Sequence, residues 1–267
     1  MTKLLPCLAL ALLEVLSAQD TGKKLPLPGT SFEIEGRIAF LILPTGDQRK
    51  AGPVAWVWYA PTLPNLPGRE ERWMFERWLA RGIAIAGIDV GESYGSPSGR
   101  KLYNALHGTL VKKYDLAPRA CLLGRSRRGL MLYNWAAENP DKVACIAGIY
   151  PVCNLASWPG LPRACGAYGL SAGELKATLG QHNPIDRLAP LAKAKVPIFH
   201  IHGDKDRVVP LDANSRTVAE RYRTLGGSMT LKVIENQGHN MWPGWFQNQE
   251  LVNFVIKHAA GNAGKEK

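Results

Sequence analysis

The stretch ACLLGRSRRGLMLYNWA, residues 120–136, places a serine between two apolar runs. The first run predicts a buried strand, the turn falls at Ser126, and the second run predicts a helix. Gly124 allows a sharp turn before the serine, and Gly129 allows the helix to pack closely after it. A serine at such a strand–turn–helix junction is a candidate nucleophile.

Arg128 departs from the usual pattern, because it stands where G-x-S-x-G has its second glycine. Its side chain must therefore point away from the sheet, or the helix must lie further from it. The alternative interpretation is that Ser126 only caps the helix beside a basic face.

A second serine matches the G-x-S-x-G pattern letter for letter, in GLSAG at residues 169–173. No apolar run precedes it, so no strand is predicted there. Ser171 stands three residues before Glu174, which is the spacing of a capping box at a helix start. We therefore expect Ser171 to cap a helix and Ser126 to be the nucleophile.

Strand-like apolar runs alternate with amphipathic segments along most of the chain. This predicts an α/β fold with a mostly parallel central sheet and helices on both faces. Ligands bind such sheets at the carboxyl ends of the strands, so the residues just after each strand are the functional candidates. Residues 153–195 interrupt the alternation after the sixth predicted strand, and we expect a lid insertion there.

Two further motifs follow predicted strands. HGDKDRVVP, residues 202–210, contains H-G-x-x-D-x-x-V-P, and NQGHNMW, residues 236–242, contains a glycine–histidine pair. Together with the serine turn they resemble the α/β-hydrolase superfamily of serine hydrolases. The similarity is greatest to its esterase and dienelactone-hydrolase branches and to the catalytic domains of prolyl-oligopeptidase-like enzymes. It covers roughly residues 32–258 and implies an α/β-hydrolase fold.

The resemblance implies that Asp206 is the acid and His239 the base of a Ser-His-Asp triad, in the chain order of that fold. Asp204 is the alternative acid. A serine hydroxyl needs an imidazole to take its proton, and the imidazole needs a carboxylate to orient it and stabilise its charged form. Of the other histidines, His200 is expected to pack within its strand and His202 to brace a loop.

An oxyanion formed on attack requires preorganised donors. We expect the backbone N–H of Arg127, directly after the serine, to be one of them. The loop after VAWVWYA should supply the second from Thr62 or Leu63, with Tyr59 close by, because Pro61 has no N–H. The H-G-G-G run that often supplies this donor is absent from the sequence.

The turn GRSRRG, residues 124–129, is similar to the G-x-S-R-x-G turn of glucuronoyl esterases. That similarity implies that the Arg127 side chain approaches the oxyanion. Glu92 and Tyr94, in the loop GESYG, are expected near the same crevice, with Glu92 as a partner for the arginines. The alternative is that Arg127 and Arg128 are solvated residues of the first helical turn.

Aromatic residues near the crevice are candidates for substrate binding. Trp158 and Tyr168, in the insertion, could roof the site, and Trp242 and Trp245 could form a wall beyond His239. Such side chains suit a sugar ring or an apolar acyl or aryl group. They are equally typical of an ordinary core.

Cys153 and Cys165 bracket a Pro/Gly-rich loop, and we predict a disulfide between them if the protein is exported. Cys121 and Cys145 lie in apolar strand-like runs and are expected to be buried thiols. The spacing of Cys and His residues is not that of metal ligands, so no metal or cofactor is expected.

The first residues, MTKLLPCLALALLEVLSAQD, have the pattern of a secretory signal, which predicts a signal peptide over residues 1–18 and a secreted or periplasmic protein. An ordinary N-terminal helix is the alternative. We further expect an arm over 19–31, the hydrolase domain over 32–260 and a flexible tail over 261–267. The apolar run is too short for stable membrane insertion.

The formal net charge is +11, but no run of five like charges occurs, so no nucleic-acid partner is expected. A solvated basic surface explains this charge, and attraction to an acidic polymer is the alternative.

The function expected from the sequence is a secreted serine hydrolase that cleaves carboxylic esters through an acyl-enzyme. Its substrate would be a small-molecule or oligosaccharide ester, including carbohydrate-linked esters. A prolyl-oligopeptidase-type peptidase and an inactive binding protein of the same fold are the alternatives. The sequence does not indicate the oligomeric state.

Overall fold

The structure is a computed structural model that describes residues 21–48 and 52–260. The expected signal peptide and tail lie outside these residues. The strands are β1 (Thr30–Ile34), β2 (Arg37–Ile42), β3 (Trp56–Ala60), β4 (Ala84–Ile88), β5 (Ala120–Arg125), β6 (Val143–Ile149), β7 (Ile198–Gly203) and β8 (Met229–Ile234). The α-helices are α1 (Arg72–Leu79), α2 (Pro97–Tyr114), α3 (Gly129–Glu138), α4 (Leu161–Tyr168), α5 (Ala172–Ala177), α6 (Ala189–Lys193), α7 (Thr217–Thr224) and α8 (Gln249–Ala260).

All eight strands form one sheet in the order β1-β2-β4-β3-β5-β6-β7-β8. β1 pairs with β2, and β2 with β4, in antiparallel fashion. Every other pairing is parallel. The carboxyl ends of β3, β5, β6, β7 and β8 therefore meet at one edge of the sheet, as the sequence predicts.

Helices cover both faces of the sheet because its central strands are apolar on both sides. In β3, Trp56 and Trp58 belong to one hydrophobic cluster and Val57 and Tyr59 to the other. α2, α3, α6 and α7 contribute to the first cluster, and α1 and α8 to the second. The predicted fold class, a mostly parallel sheet between two helical layers, is confirmed.

The segment after β6 contains α4, α5 and α6. Apolar side chains of α4 and α5 form a third cluster with Tyr94, Leu130 and Val209, at the carboxyl edge of the sheet. The insertion is thus attached to the loops that surround the candidate site. Its action as a lid stays a prediction.

Ser171 is the N-cap of α5, as predicted. Its hydroxyl accepts a hydrogen bond from the Glu174 N–H at 3.2 Å, and the Glu174 carboxylate accepts one from the Ser171 N–H at 2.7 Å. This reciprocal pair engages the hydroxyl in helix capping.

The predicted disulfide between Cys153 and Cys165 is wrong, because both residues are free thiols. Cys153 is completely buried in the main cluster beside the sheet. Cys165 lies on α4, packs against the third cluster, and donates its S–H to the Pro162 carbonyl of its own helix at 3.4 Å. The two side chains thus belong to different packing layers. Cys121 and Cys145 are buried thiols, as expected.

Over residues 21–48 and 52–260, no helix is both long and apolar enough to cross a membrane.

Candidate active site

Ser126 lies immediately after β5 and has a positive φ of 53°. A non-glycine residue in this region is strained, and such strain concentrates at functional positions. The turn is held by a hydrogen bond from the Val152 N–H to the Ser126 carbonyl, 2.8 Å long. The serine side chain is thereby raised at the carboxyl edge of the sheet.

Gly129 is the glycine that this turn requires. A Cβ atom at Gly129 would lie 2.4 Å from the Val152 carbonyl oxygen, whereas one at Gly124 would meet nothing closer than 3.5 Å. The backbone of α3 therefore packs directly against the chain that follows β6. This explains why the pattern tolerates a large residue at position 128 but needs a glycine at 129.

The structure brings Ser126, His239 and Asp206 together in one hydrogen-bonded line. Ser126 Oγ lies 2.9 Å from His239 Nε2, and His239 Nδ1 lies 2.8 Å from Asp206 Oδ2. A carboxylate only accepts hydrogen bonds, so neutral His239 carries its proton on Nδ1. His239 Nε2 is then free to accept the serine proton, which is the arrangement that activates a serine nucleophile.

Asp206 is almost fully buried, and its carboxylate is well supported. Its Oδ1 accepts the N–H groups of Val208 and Val209 at 2.9 and 2.8 Å. Burial by itself would raise the pKa of Asp206, but hydrogen bonds from His202, His239 and the Val209 N–H hold that pKa below its ordinary value. The carboxylate therefore stays charged over the range in which His239 would act as a base.

The alternative acid, Asp204, faces Lys205 at 3.7 Å, and its N–H donates to the Ile234 carbonyl. His200 and His202 are completely buried, as expected for packing and bracing residues. The ring of His239 packs on that of Tyr150, with centroids 4.5 Å apart.

The two arginines after Ser126 have different environments. Arg128 is buried and donates to the Gly91 carbonyl, so the alternative that it is solvated is wrong. Arg127 is about 42% exposed and forms an ion pair with Glu92, 2.7 Å long. Glu92 also lies 3.6 Å from Arg128, which makes it the shared partner that the sequence suggested.

The loop after β3 is adjacent to the serine, because Ala60 pairs with Gly124 across the sheet. Leu63 is wrong as an oxyanion donor, since its N–H already donates to the Leu66 carbonyl at 3.3 Å. Its side chain instead lines the cavity beside Ser126. Thr62 is buried next to this point, and its backbone N–H stays the predicted second donor beside that of Arg127.

A cavity of about 220 Å³ opens beside Ser126 and His239. Apolar residues of the loop after β3 line one side of it, namely Pro61, Leu63 and Leu66. The remaining lining residues are Arg125, Arg127, Tyr150, Asn240 and Met241. The space next to the nucleophile is thus small and mixed in polarity.

Tyr59 is wrong as a substrate-binding residue, because β3 turns its ring into the buried face of the sheet. Its hydroxyl donates to Glu71 Oε1 at 2.6 Å. Arg125 Nη1 lies 2.5 Å from the same oxygen, and Glu71 is completely buried. Burial raises the pKa of Tyr59, so its hydroxyl remains a donor to this ion pair.

Sequence reasoning missed Arg125, Glu71 and Tyr150. Arg125 directly precedes the nucleophile, and a charged residue at the end of an otherwise apolar strand is a signal that could have identified it. Glu71 gave no such signal, because it is one of several acids in GREERWMFER.

Of the predicted aromatic contacts, the Tyr94 ring is buried and packs edge-on against Trp158 at a centroid distance of 5.9 Å, and its contact with substrate stays a prediction. Trp158 lies near the site, with the Arg127 guanidinium 5.2 Å from its ring. Trp242 is partly exposed and contacts Trp245 edge-on at 5.2 Å. Trp245 is completely buried, so it supports the loop after His239 and does not itself form a wall.

The sheet order, the strained serine turn and the positions of the three polar side chains are those of the α/β-hydrolase fold. Solved structures with this fold superimpose on most of this chain. Est1E from Butyrivibrio proteoclasticus matches with a TM-score of 0.64 and 18% identity, over 87% of this chain and 99% of its own. A truncated carbohydrate esterase from gut microbiota matches with a TM-score of 0.66 and 16% identity, over 83% and 90%.

Larger proteins match only in part. Dipeptidyl peptidase 4 from Porphyromonas gingivalis has a TM-score of 0.66 and 16% identity, over 88% of this chain and 35% of its own. The acylamino-acid-releasing enzyme of Arabidopsis thaliana is 28% identical over 147 residues, which are 52% of this chain and 19% of that enzyme. The phospholipase/carboxylesterase family profile matches residues 177–258. The matched profile covers less than a third of the chain, and the solved structures show that the chain has the α/β-hydrolase fold, as its motifs predict.

Proposed function

We propose that this protein is a serine hydrolase that cleaves carboxylic esters through an acyl-enzyme. The observation that carries the proposal is the continuous line from Ser126 Oγ through His239 to the buried Asp206 carboxylate. The strained serine turn at the end of a central strand supports it, because it exposes the hydroxyl next to a cavity.

In the first half-reaction, His239 Nε2 takes the proton of Ser126 as Oγ bonds to the ester carbonyl carbon. The Arg127 N–H, and that of Thr62, would stabilise the resulting oxyanion. The ester C–O bond then breaks, and the leaving alcohol receives the proton from His239. In the second half-reaction, water loses a proton to His239 and attacks the acyl carbon. The bond from that carbon to Ser126 Oγ then breaks, His239 returns the proton to Oγ, and the acid is released.

The substrate we propose is an ester on a carbohydrate or a similarly small molecule. The cavity of about 220 Å³ suits a small acyl group, and the partly exposed Trp158 and Trp242 supply ring faces outside it. Likeness of fold to the gut-microbiota carbohydrate esterase is compatible with this choice.

A serine peptidase is the second candidate, and the match to the acylamino-acid-releasing enzyme favours it. The catalytic groups serve an amide as well as an ester, so the two activities differ in what the leaving group and the surrounding surface accept. kcat/KM should be measured for p-nitrophenyl acetate and for an N-acetylated amino-acid p-nitroanilide. Preference for the anilide would overturn the esterase proposal in favour of the peptidase.

Substrate class can be resolved with a panel of acetylated, feruloylated and methyl-glucuronate sugars. We expect turnover of at least one sugar ester with a kcat/KM above that of p-nitrophenyl acetate. Turnover of simple esters alone would remove the carbohydrate part of the proposal and leave the esterase part.

We also propose that the protein is exported and that residues 1–18 are removed. The support is the sequence pattern of residues 1–18. N-terminal sequencing of protein recovered outside the cytoplasm should find a start near Gln19. Recovery of unprocessed chain in the cytoplasm alone would contradict export.

A further inference from the structure

A line of buried polar side chains runs through the interior behind Asp206. Its members are Tyr133 on α3, His200 and His202 on β7, and Ser215 in the turn that precedes α7. All are buried, and the two histidines and Ser215 are inaccessible to solvent. None of these side chains lines the cavity beside Ser126.

Each neighbouring pair in the line is within hydrogen-bond distance. Tyr133 Oη lies 2.7 Å from His200 Nε2, and His200 Nδ1 lies 2.9 Å from Ser215 Oγ. The same Ser215 Oγ lies 2.8 Å from His202 Nδ1. His202 Nε2 lies 2.9 Å from the Val209 carbonyl oxygen.

The contact between His202 Nε2 and the Val209 carbonyl fixes which group donates in every other hydrogen bond of the line. A carbonyl oxygen only accepts, so His202 carries its proton on Nε2, and in the neutral ring Nδ1 must accept. Ser215 therefore donates to His202 and accepts from His200 Nδ1–H. His200 Nε2 must then accept the Tyr133 hydroxyl proton. Burial and the neighbouring His202 lower the pKa of His200 to about 3, which keeps this ring neutral.

The line ends on the loop that holds the acid of the triad. His202 Nε2 lies 3.5 Å from Asp206 Oδ2, the oxygen that also accepts the His239 Nδ1–H. The Val209 residue whose carbonyl accepts from His202 also donates its N–H to Asp206 Oδ1. Movement of His202 would therefore displace the carboxylate that orients His239.

Two features of the backbone make room for this line of side chains. Gly148 of β6 pairs with His200, and a Cβ atom at Gly148 would lie 2.6 Å from His200 Cδ2. Ser215 sits in a π-helical turn, Asp212–Arg216, before α7. Such turns recur at functional positions in proteins. Gly148 thus leaves room for the His200 ring, and the π-helical turn carries Ser215 to a position between the two histidines.

We propose that Tyr133, His200, Ser215 and His202 form a one-way hydrogen-bond relay that positions Asp206 for catalysis. These are positioning residues, since they act on the reaction through the Asp206 carboxylate. The inference deepens the proposed function and rests on the Ser126–His239–Asp206 assignment.

The test compares Ser215→Ala and Tyr133→Phe with Tyr222→Phe. Tyr222 is also a buried tyrosine, and its hydroxyl donates to the Val196 carbonyl at 2.6 Å, outside the relay. We expect Ser215→Ala to lower kcat for p-nitrophenyl acetate about tenfold, because displacement of a catalytic group slows chemistry. Tyr133→Phe should lower kcat in the same direction by less. KM should stay near that of the wild type for both, since neither residue contacts substrate.

A proton NMR readout does not depend on turnover. The His239 Nδ1–H bonded to Asp206 should give a downfield resonance that shifts or broadens in Ser215→Ala and Tyr133→Phe and stays unchanged in Tyr222→Phe. Loss of stability alone would not move this resonance in a folded protein. If Ser215→Ala does not fold, Tyr133→Phe against Tyr222→Phe decides the question.

Labelling of Ser126 by a fluorophosphonate separates the two hypotheses. Wild-type protein that neither labels nor hydrolyses esters contradicts the proposed function, and the NMR readout then still tests the relay. Labelled, active wild type with kcat and the His239 resonance unchanged in both relay variants overturns the relay. A lower kcat in Ser215→Ala with no change in Tyr133→Phe also overturns the relay, because Ser215 would then act without Tyr133.

Discussion

Ser126 and Ser171 show how the surroundings of a residue decide its chemistry. Both lie in a turn before a helix, and the second has the better match to the nucleophile pattern. Only Ser126 follows a central strand, has a positive φ and faces an imidazole at 2.9 Å. Ser171 uses its hydroxyl to cap α5.

We expect Ser126→Ala to lower kcat for p-nitrophenyl acetate by roughly a thousandfold or more, because the nucleophile is lost. Ser171→Ala should retain the wild-type rate and lose only about 1 kcal/mol of stability from its helix cap. Steady-state kinetics and urea unfolding measure the two effects. Equal rates for wild type and Ser126→Ala would refute the assignment.

The ion pair of Arg125 and Glu71 is a second residue-scale feature, because both partners are removed from water. We expect Glu71→Gln to destabilise the protein by about 3 kcal/mol, since it leaves a largely buried guanidinium without its countercharge. Tyr59→Phe is the control, since it removes one hydrogen bond to Glu71 and keeps the ion pair. Chemical denaturation should give Glu71→Gln a clearly lower free energy of unfolding than Tyr59→Phe. The reverse order of stabilities would contradict this account.

The site was predictable to the extent that its residues follow strands. Ser126, Asp206 and His239 each come just after a strand, so topology alone brings them to one edge. In a strand that is apolar on both faces, the sequence does not show which face of the sheet a side chain joins. The prediction for Tyr59 was wrong for this reason. Leu63 was misassigned for a different reason, since its N–H is engaged by Leu66 in a turn that no pattern indicated.

At the scale of elements, the junction between β5 and α3 depends on contact between backbones. We expect Gly129→Ala to destabilise the protein by about 1–3 kcal/mol, because the added Cβ would lie 2.4 Å from the Val152 carbonyl oxygen and force α3 outward. It should also reduce kcat, since Ser126 would move with the helix.

Gly108→Ala is the matched control within α2. A Cβ at Gly108 meets nothing within 4 Å, so this variant should gain up to about 1 kcal/mol from helix propensity. Thermal unfolding and ester hydrolysis should separate the two variants. A Gly129→Ala protein as stable and active as Gly108→Ala would show that the close approach is unimportant.

The elements themselves were largely predictable, because the central strands are continuous apolar runs and the helices between them are amphipathic. The disulfide prediction was wrong because it relied on sequence spacing and not on an apolar pattern. Cys153 and Cys165 are close in sequence but belong to different packing layers, and spacing alone does not reveal which layer a loop residue enters.

At the scale of the whole molecule, the buried side chain of His200 couples stability to pH. The pKa of His200 is lowered to about 3 in the fold, whereas an unfolded histidine titrates near about 6.5. Between these values the unfolded chain binds a proton that the folded protein excludes. Stability is therefore lost as pH falls from about 6.5 towards 3, at up to about 1.4 kcal/mol per pH unit for this one group.

We expect His200→Gln to unfold with a shallower dependence on pH over that window, although the variant is less stable at pH 7. Urea unfolding at several pH values measures the slope. An unchanged slope would mean that His200 does not carry this linkage.

The position of β8 at the edge of the sheet affects the order in which activity and structure would be lost on unfolding. β8 pairs with β7, and its side chains are only partly covered, yet the loop that follows it presents His239 to a serine 113 residues earlier. If this strand detached under mild denaturant, the imidazole would leave while both main apolar clusters stayed closed. Catalysis would then vanish while circular dichroism still reported most of the secondary structure, so a lost signal in an assay could come from a molecule that is still mostly folded.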